Sequence, residues 1–438
     1  ANGYKLRNSG YTPAQAITKG IQLAQDAAAG TETYVAFDCG PIGQLLEPLG
    51  TLSFEDAYEL YREMVVAAQD AGADLIVFET FTDLYDMKAA VLAAKEHTHL
   101  PILSTMSFEG NGRTFTGTTV PAMAMTLEGL GVDAVGFNCS LGPAEILSLA
   151  EELRQWTDLP LVVKPNAGLP DPQTNEYTIT AAEFAREMVP FTQLGVRILG
   201  GCCGTSPAFI QELRHAIGTQ PPEVPRPPKR RGVCSASQVA ELTGVRVVGE
   251  RINPTGKKRF QQALREHDLD YILNQAMAQQ DAGADILDVN VGLPGIDEVA
   301  MMTDVVKAIQ SVVSLPLQID STNPEVIEAG LRACCGRAIV NSVNGKAEIL
   351  EAILPIVKKY GAAVVGLAMD ENGLPETAQQ RFDLAERILN AALAHGIPKE
   401  DVIIDCLTLT VSAQQEQAQE TLNAVRRVTE ELGLHTML

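Results

Sequence analysis

The sequence predicts an α/β protein made of two (β/α)8 TIM-type barrels in tandem, the first lacking its initial strands and the second its final strands. Three observations carry this. Apolar runs of strand length alternate with amphipathic helical stretches through both halves, a proline-rich break separates the halves, and no G-x-G-x-x-G follows a first strand. A chain of 438 residues exceeds what one core usually organises, which agrees with two domains. The expected boundaries are residues 1–217 for the first barrel, 218–243 for a spacer and 244–438 for the second barrel.

In the first half the strand candidates are "TYVAFDCG" (33–40), "DLIVFET" (74–80), "PILSTMS" (101–107), "DAVGFNCS" (133–140), "PLVVKPNA" (160–167) and "VRILGG" (196–201). They are apolar without clean alternation, as parallel strands covered on both faces should be. Between them, "SFEDAYELYREMVVAAQDAG" (53–72) reads as a helix capped by Ser53 and stopped at Gly72. The break "PPEVPRPPKRR" (221–231) favours an extended, semi-rigid chain. Beyond it come "VRVVGER" (245–251), "ADILDVN" (284–290), "LPLQIDS" (315–321), "RAIVNSV" (337–343), "AAVVGLAM" (362–369), "DVIIDC" (401–406) and a seventh start at "HTML" (435–438). Six strands and then six or seven fall short of eight each time. The count therefore predicts a fragment of a longer protein.

Composition narrows the partners. A net charge of −22 speaks against nucleic acid, which selects for a basic face. No run of 18 apolar residues suggests a membrane span. Eight cysteines in so long a chain fit a reducing, cytoplasmic setting better than a disulfide scaffold.

Barrel chemistry gathers at the C-terminal strand ends. In the first half these ends deliver Asp38, Cys39, Glu79, Cys139, Asn166 and the adjacent pair Cys202–Cys203. Three thiols, Cys139, Cys202 and Cys203, suit Zn²⁺ with bonds of roughly 2.3 Å and a fourth position open for a sulfur guest. The competing reading is three inert core cysteines. Glu79 is either a carboxylate for a substrate ammonium group or a rim group at a helix start. Cys39 reads as packing, and Cys334–Cys335 as a structural pair at the opposite barrel face. The second half delivers Glu250, Asn253, Asp288, Asn290, Asp320, Asn341 and Asp405. Carboxylates and amides without thiols form a hydrogen-bonding cradle for a polar heterocycle such as a pterin, with a metal as the rival occupant.

The set "FETF", "FNCS", "KPNAG" and "GGCCGTSP", followed by "GERINPTG", "DVN", "IDS" and "NSV", closely resembles the cobalamin-dependent methionine synthases over essentially the whole chain. It is similar to their homocysteine-binding barrel joined to their pterin-binding barrel. The resemblance implies zinc at Cys139, Cys202 and Cys203, with these and Asp288 as the catalytic set, and homocysteine contacts at Glu79 and Asn166. It implies 5-methyltetrahydrofolate as co-substrate, held by Glu250, Asn253, Asp288, Asn290, Asp320, Asn341 and Asp405. Methyl transfer to homocysteine would then run through cobalamin on a domain or protein outside this chain. The alternatives are a corrinoid-independent homocysteine S-methyltransferase and a non-catalytic homocysteine- or folate-binding module.

Overall fold

Ser53 accepts the backbone N–H of Asp56, and Thr180 and Thr377 each close a reciprocal capping box with the residue three positions on. These local signals start the helices that cover the sheets. The computed structural model describes residues 2–438 apart from 172, 175, 178, 219–223, 225, 226 and 409–414. The chain divides into two compact units, Ala1–Arg230 and Arg231–Leu438. No helix among the described residues is long and apolar enough to cross a membrane.

The first unit is one parallel sheet of β1 (Ala36–Cys39), β2 (Leu75–Phe81), β3 (Ile102–Met106), β4 (Ala134–Asn138), β5 (Leu161–Lys164) and β6 (Val196–Leu199). Neighbours in sequence are neighbours in the sheet, and a helix separates each pair. That is the winding of a (β/α) barrel. All five residues of β4 are buried, which explains why the strand reads as an unbroken apolar run.

The second unit begins with a short antiparallel hairpin, β7 (Gly232–Cys234) and β8 (Val239–Glu241). Seven parallel strands follow: β9 (Val248–Ile252), β10 (Ile286–Asn290), β11 (Leu317–Asp320), β12 (Ile339–Asn344), β13 (Ala363–Leu367), β14 (Val402–Asp405) and β15 (His435–Met437). They too lie in sequence order. Among the described residues, no ladder joins β1 to β6 or β9 to β15. The strand expected at "HTML" is β15.

The hairpin was not expected. Residues 232–241 lie in the stretch read as a spacer, yet they pack as part of the second unit. Val233 and Ala240 join Ile286, Ile339, Ala363, Val365 and Ile403 in one buried cluster. Cys234 and Arg337 exchange both backbone hydrogen bonds at 2.9 Å. Gly336 makes this approach possible, since a Cβ there would stand 2.2 Å from the Cys234 carbonyl oxygen. The buried Arg337 guanidinium donates to the carbonyls of Gly361 at 2.7 Å and Gly232 at 3.1 Å. It also forms an ion pair with Asp401, likewise buried. Much of the proline-rich stretch 221–231 lies outside the described residues.

Candidate active site

Two parallel strands and the turns after them bring the three sulfurs together. Cys139 follows β4, and Cys202 and Cys203 follow β6. One ligand atom from each lies within 4.8 Å of the others, and the Cys139 and Cys203 sulfurs are 3.7 Å apart. Bonds of roughly 2.3 Å to a tetrahedral zinc would set sulfurs about 3.8 Å apart, so the trio fits such an ion. Burial, followed by the nearby charge of Cys139, pushes the Cys202 thiol up to about 12. Crowded thiols resist losing several protons unless a cation enters among them.

The turn is built from strand β5 outward. Pro165 and Asn166 offer acceptors: Cys202 N–H donates to the Pro165 carbonyl at 2.7 Å and Cys203 N–H to Asn166 Oδ1 at 3.1 Å. Cys139 N–H donates to the Lys164 carbonyl at 3.1 Å. The Asn166 side chain, expected to contact homocysteine, is thus buried and fastens the two-cysteine turn. Thr80, Cys139 and Ser140 carry positive φ, three of the five non-glycine residues to do so among those described. Such backbone is held only where the surroundings dictate it.

Asn138, which sequence reasoning passed over beside Cys139, is the hub. Its Oδ1 accepts the Thr80 N–H and the Thr105 hydroxyl, each at 2.8 Å. Its Nδ2 donates to Thr80 Oγ1 at 2.8 Å and toward the Cys202 sulfur at 3.9 Å. Tyr177, also unforeseen, stands close to the trio: burial and then the charge of Cys203 push its hydroxyl up. Its ring lies over Gly204, where φ is +80° and a Cβ would stand 2.4 Å from the ring. Gly204→Ala is therefore expected to displace both Tyr177 and the turn. Metal retention should fall at least about tenfold against a competing chelator, by analogy with lost outer-shell support; unchanged retention would count against this account of the turn.

Glu79 of β2 forms an ion pair with Lys164 of β5. Asp38 of β1 stands nearby; burial and then the Glu79 charge push its carboxyl up, while Lys164 draws it down. Cys39 is buried, as packing requires, with its thiol pushed up to about 12 by that burial.

In the second unit Glu250, Asp288, Asp320, Asn341 and Asp405 line one cavity of ≈ 700 Å³, joined by Gln318. Asp288 Oδ1 accepts from Gln318 Nε2 at 2.7 Å and Asn341 Nδ2 at 3.3 Å. Asn290 and Asn253 do not line the cavity. Asn290 instead donates to Asp320 Oδ2 at 2.9 Å and accepts Gly292 N–H. Asn253 Oδ1 accepts Thr255 N–H in a local turn. Exposed Glu250 is paired with Lys257 at 3.1 Å.

Burial, then the charge of Asp320, pushes Asp288 up to about 7. An unfolded aspartate titrates near ~3.9, so between these values the folded chain holds the extra proton. Stability contributed at this site is full below about pH 4 and is lost as pH rises toward about 7. Asp288→Asn is expected to reduce that slope, read from urea midpoints at acidic and neutral pH; an unaltered slope would refute the assignment.

Residues 2–217 match the homocysteine S-methyltransferase family and residues 249–438 the pterin binding enzyme family. The chain is 34% identical over 416 residues to methionine synthase of Mycobacterium tuberculosis, covering 90% of the chain. It is equally close, over 421 residues, to methionine synthase of Mycobacterium leprae. It spans only about a third (35%) of the length of these relatives. Among solved structures, the metallated homocysteine methyltransferase MmuM from Escherichia coli is 26% identical, with a TM-score of 0.40, over 49% of this chain and 76% of that one. Dihydropteroate synthase from Xanthomonas albilineans in complex with 7,8-dihydropteroate is 21% identical, with a TM-score of 0.35, over 47% of this chain and 75% of that one.

Proposed function

Because the chain joins a member of the homocysteine S-methyltransferase family to a member of the pterin-binding enzymes in a methionine synthase-like protein, we propose that it takes part in methyl transfer from 5-methyltetrahydrofolate to homocysteine. The observation that carries this reading is the gathering of three sulfurs within 4.8 Å in the unit that matches the homocysteine S-methyltransferases. Cys139, Cys202 and Cys203 would hold zinc. When bound, zinc supplies a Lewis acid that keeps the homocysteine thiol ionised, and cobalamin, on a domain or protein outside this chain, supplies a methyl carrier.

The chain's own residues orient and hold. Asn138 aims an amide donor at the Cys202 sulfur, which favours the thiolate. Asn166 keeps Cys202 and Cys203 turned toward one point through the backbone of Cys203. Glu79 offers a carboxylate for the amino group of homocysteine. In the second unit, Asp288, Asp320, Asn341 and Asp405 line a cavity whose acceptors and donors suit the edge of a pterin. Asp288 would hold a proton opposite a ring nitrogen, Glu250 would bound the same cavity, and Asn290 would orient Asp320 through its amide. A reduced cytoplasm is the compartment in which free thiols such as these persist. A corrinoid-independent homocysteine methyltransferase would leave the pterin-matching unit without a task.

The test is two measurements on the purified chain. About one zinc per chain is expected after dialysis, together with saturable binding of 5-methyltetrahydrofolate. Absence of stoichiometric zinc sinks the thiol-activation reading. Absence of folate binding sinks the pterin reading.

A further inference from the structure

The ion pair between Glu79 and Lys164 sits at the same rim as the sulfurs. Lys164 ends β5, and its carbonyl accepts the N–H of Cys139. Glu79 precedes Thr80, whose N–H and hydroxyl are both held by Asn138, the residue before Cys139 and a donor toward the Cys202 sulfur. The two side chains keep 21% and 23% of their surface exposed, so a small solute can reach both charges.

An α-amino acid bears an ammonium and a carboxylate on one carbon. That is the charge complement of a carboxylate beside an ammonium. We infer that Lys164 receives the α-carboxylate of the incoming amino-acid thiol while Glu79 receives its ammonium, so that the pair selects zwitterionic substrates. This rests on the functional reading above and extends it: the carboxylate partner, Lys164, had no role in that reading. In the absence of ligand the two residues satisfy one another. On binding, each exchanges a protein counter-ion for the matching end of the ligand, with Asp38 remaining as the third charge of the group. Charge-assisted hydrogen bonds to both ends would then fix the side chain so that its sulfur points at the cysteine trio.

The experiment titrates the zinc-loaded full chain calorimetrically with three thiols: L-homocysteine, 3-aminopropane-1-thiol, which lacks the carboxylate, and 4-sulfanylbutanoate, which lacks the amine. Wild type is expected to bind homocysteine at least about tenfold tighter than either one-ended thiol, because a site built for a polar group rejects the analogue without it. Lys164→Met should bring homocysteine down to the affinity of 3-aminopropane-1-thiol, which itself should change little. Lys164→Arg should restore most of the loss. Equal homocysteine binding by wild type and Lys164→Met overturns the inference, as does a wild type indifferent to the missing carboxylate. A wild type indifferent to the missing carboxylate overturns the inference even if the methionine variant fails to fold, and the arginine variant then stands in for it in assigning the contact to Lys164. Zinc-loaded wild type that binds no homocysteine overturns the functional reading itself.

Discussion

Cys202→Ala is expected to abolish zinc retention, the largest single effect anticipated for this protein. Three sulfurs from two turns form the proposed cage, and removing one leaves Cys139 and Cys203, whose sulfurs are 3.7 Å apart. Two thiolates cannot close a tetrahedral site with a vacancy for a substrate thiol. Cys202 also receives the Asn138 amide and carries the carbonyl to which Thr205 Oγ1 donates at 2.7 Å. Loss of affinity should exceed the about 10–100-fold that removal of an outer-shell partner causes. The check is metal content after dialysis against a competing chelator. Cys39→Ala serves as the comparison, because Cys39 is buried in the same unit but outside the trio. If Cys202→Ala keeps wild-type zinc, the cage is wrongly assigned.

Arg337→Met should destabilise the second unit by about 3–5 kcal/mol, the cost of leaving one member of a buried ion pair alone. Arg337 is 8% exposed and Asp401 4%. The same guanidinium ties Gly232 at the start of the hairpin to Gly361 before β13. Its removal therefore strands a carboxylate and loosens the hairpin in one step. Replacing both partners, Arg337→Met with Asp401→Leu, should recover much of the loss, since an apolar pair of similar volume leaves no buried charge unmatched. Denaturant unfolding of the full chain reads both variants; a single-variant loss below about 1 kcal/mol would refute the assignment, being the scale of an exposed pair.

Among the described residues, the strands buried along most of their length were legible because residues covered on both faces read as apolar runs, β4 most clearly, while β1, β9 and β15 are more exposed. The sulfur trio was legible because strand ends are where barrels present chemistry, and adjacent cysteines after glycines have little packing value. The hairpin was not, because strands of three residues in a proline-rich neighbourhood carry too little pattern, and its stability comes from Arg337, 105 positions from Gly232. Lys164 and Asn138 were hidden for a related reason. Each stands inside a quoted motif, but its side-chain partner lies 85 or 64 positions away, at Glu79 or Cys202. Asn253 and Asn290 were read as pterin contacts from strand position and from the resemblance; the structure adds that Asn253 accepts Thr255 N–H and Asn290 donates to Asp320, as short polar side chains at strand ends readily do.

The side chain of Asn138 acts as a crossbar, one end fixed beside Glu79 and the other reaching for sulfur. Thr80, next to Glu79, and the Cys202 sulfur therefore share a single mechanical part. If the proposed assignments hold, a mismatched amino-acid end would be felt at the sulfurs, and discrimination and reactivity at this rim would not be separable quantities.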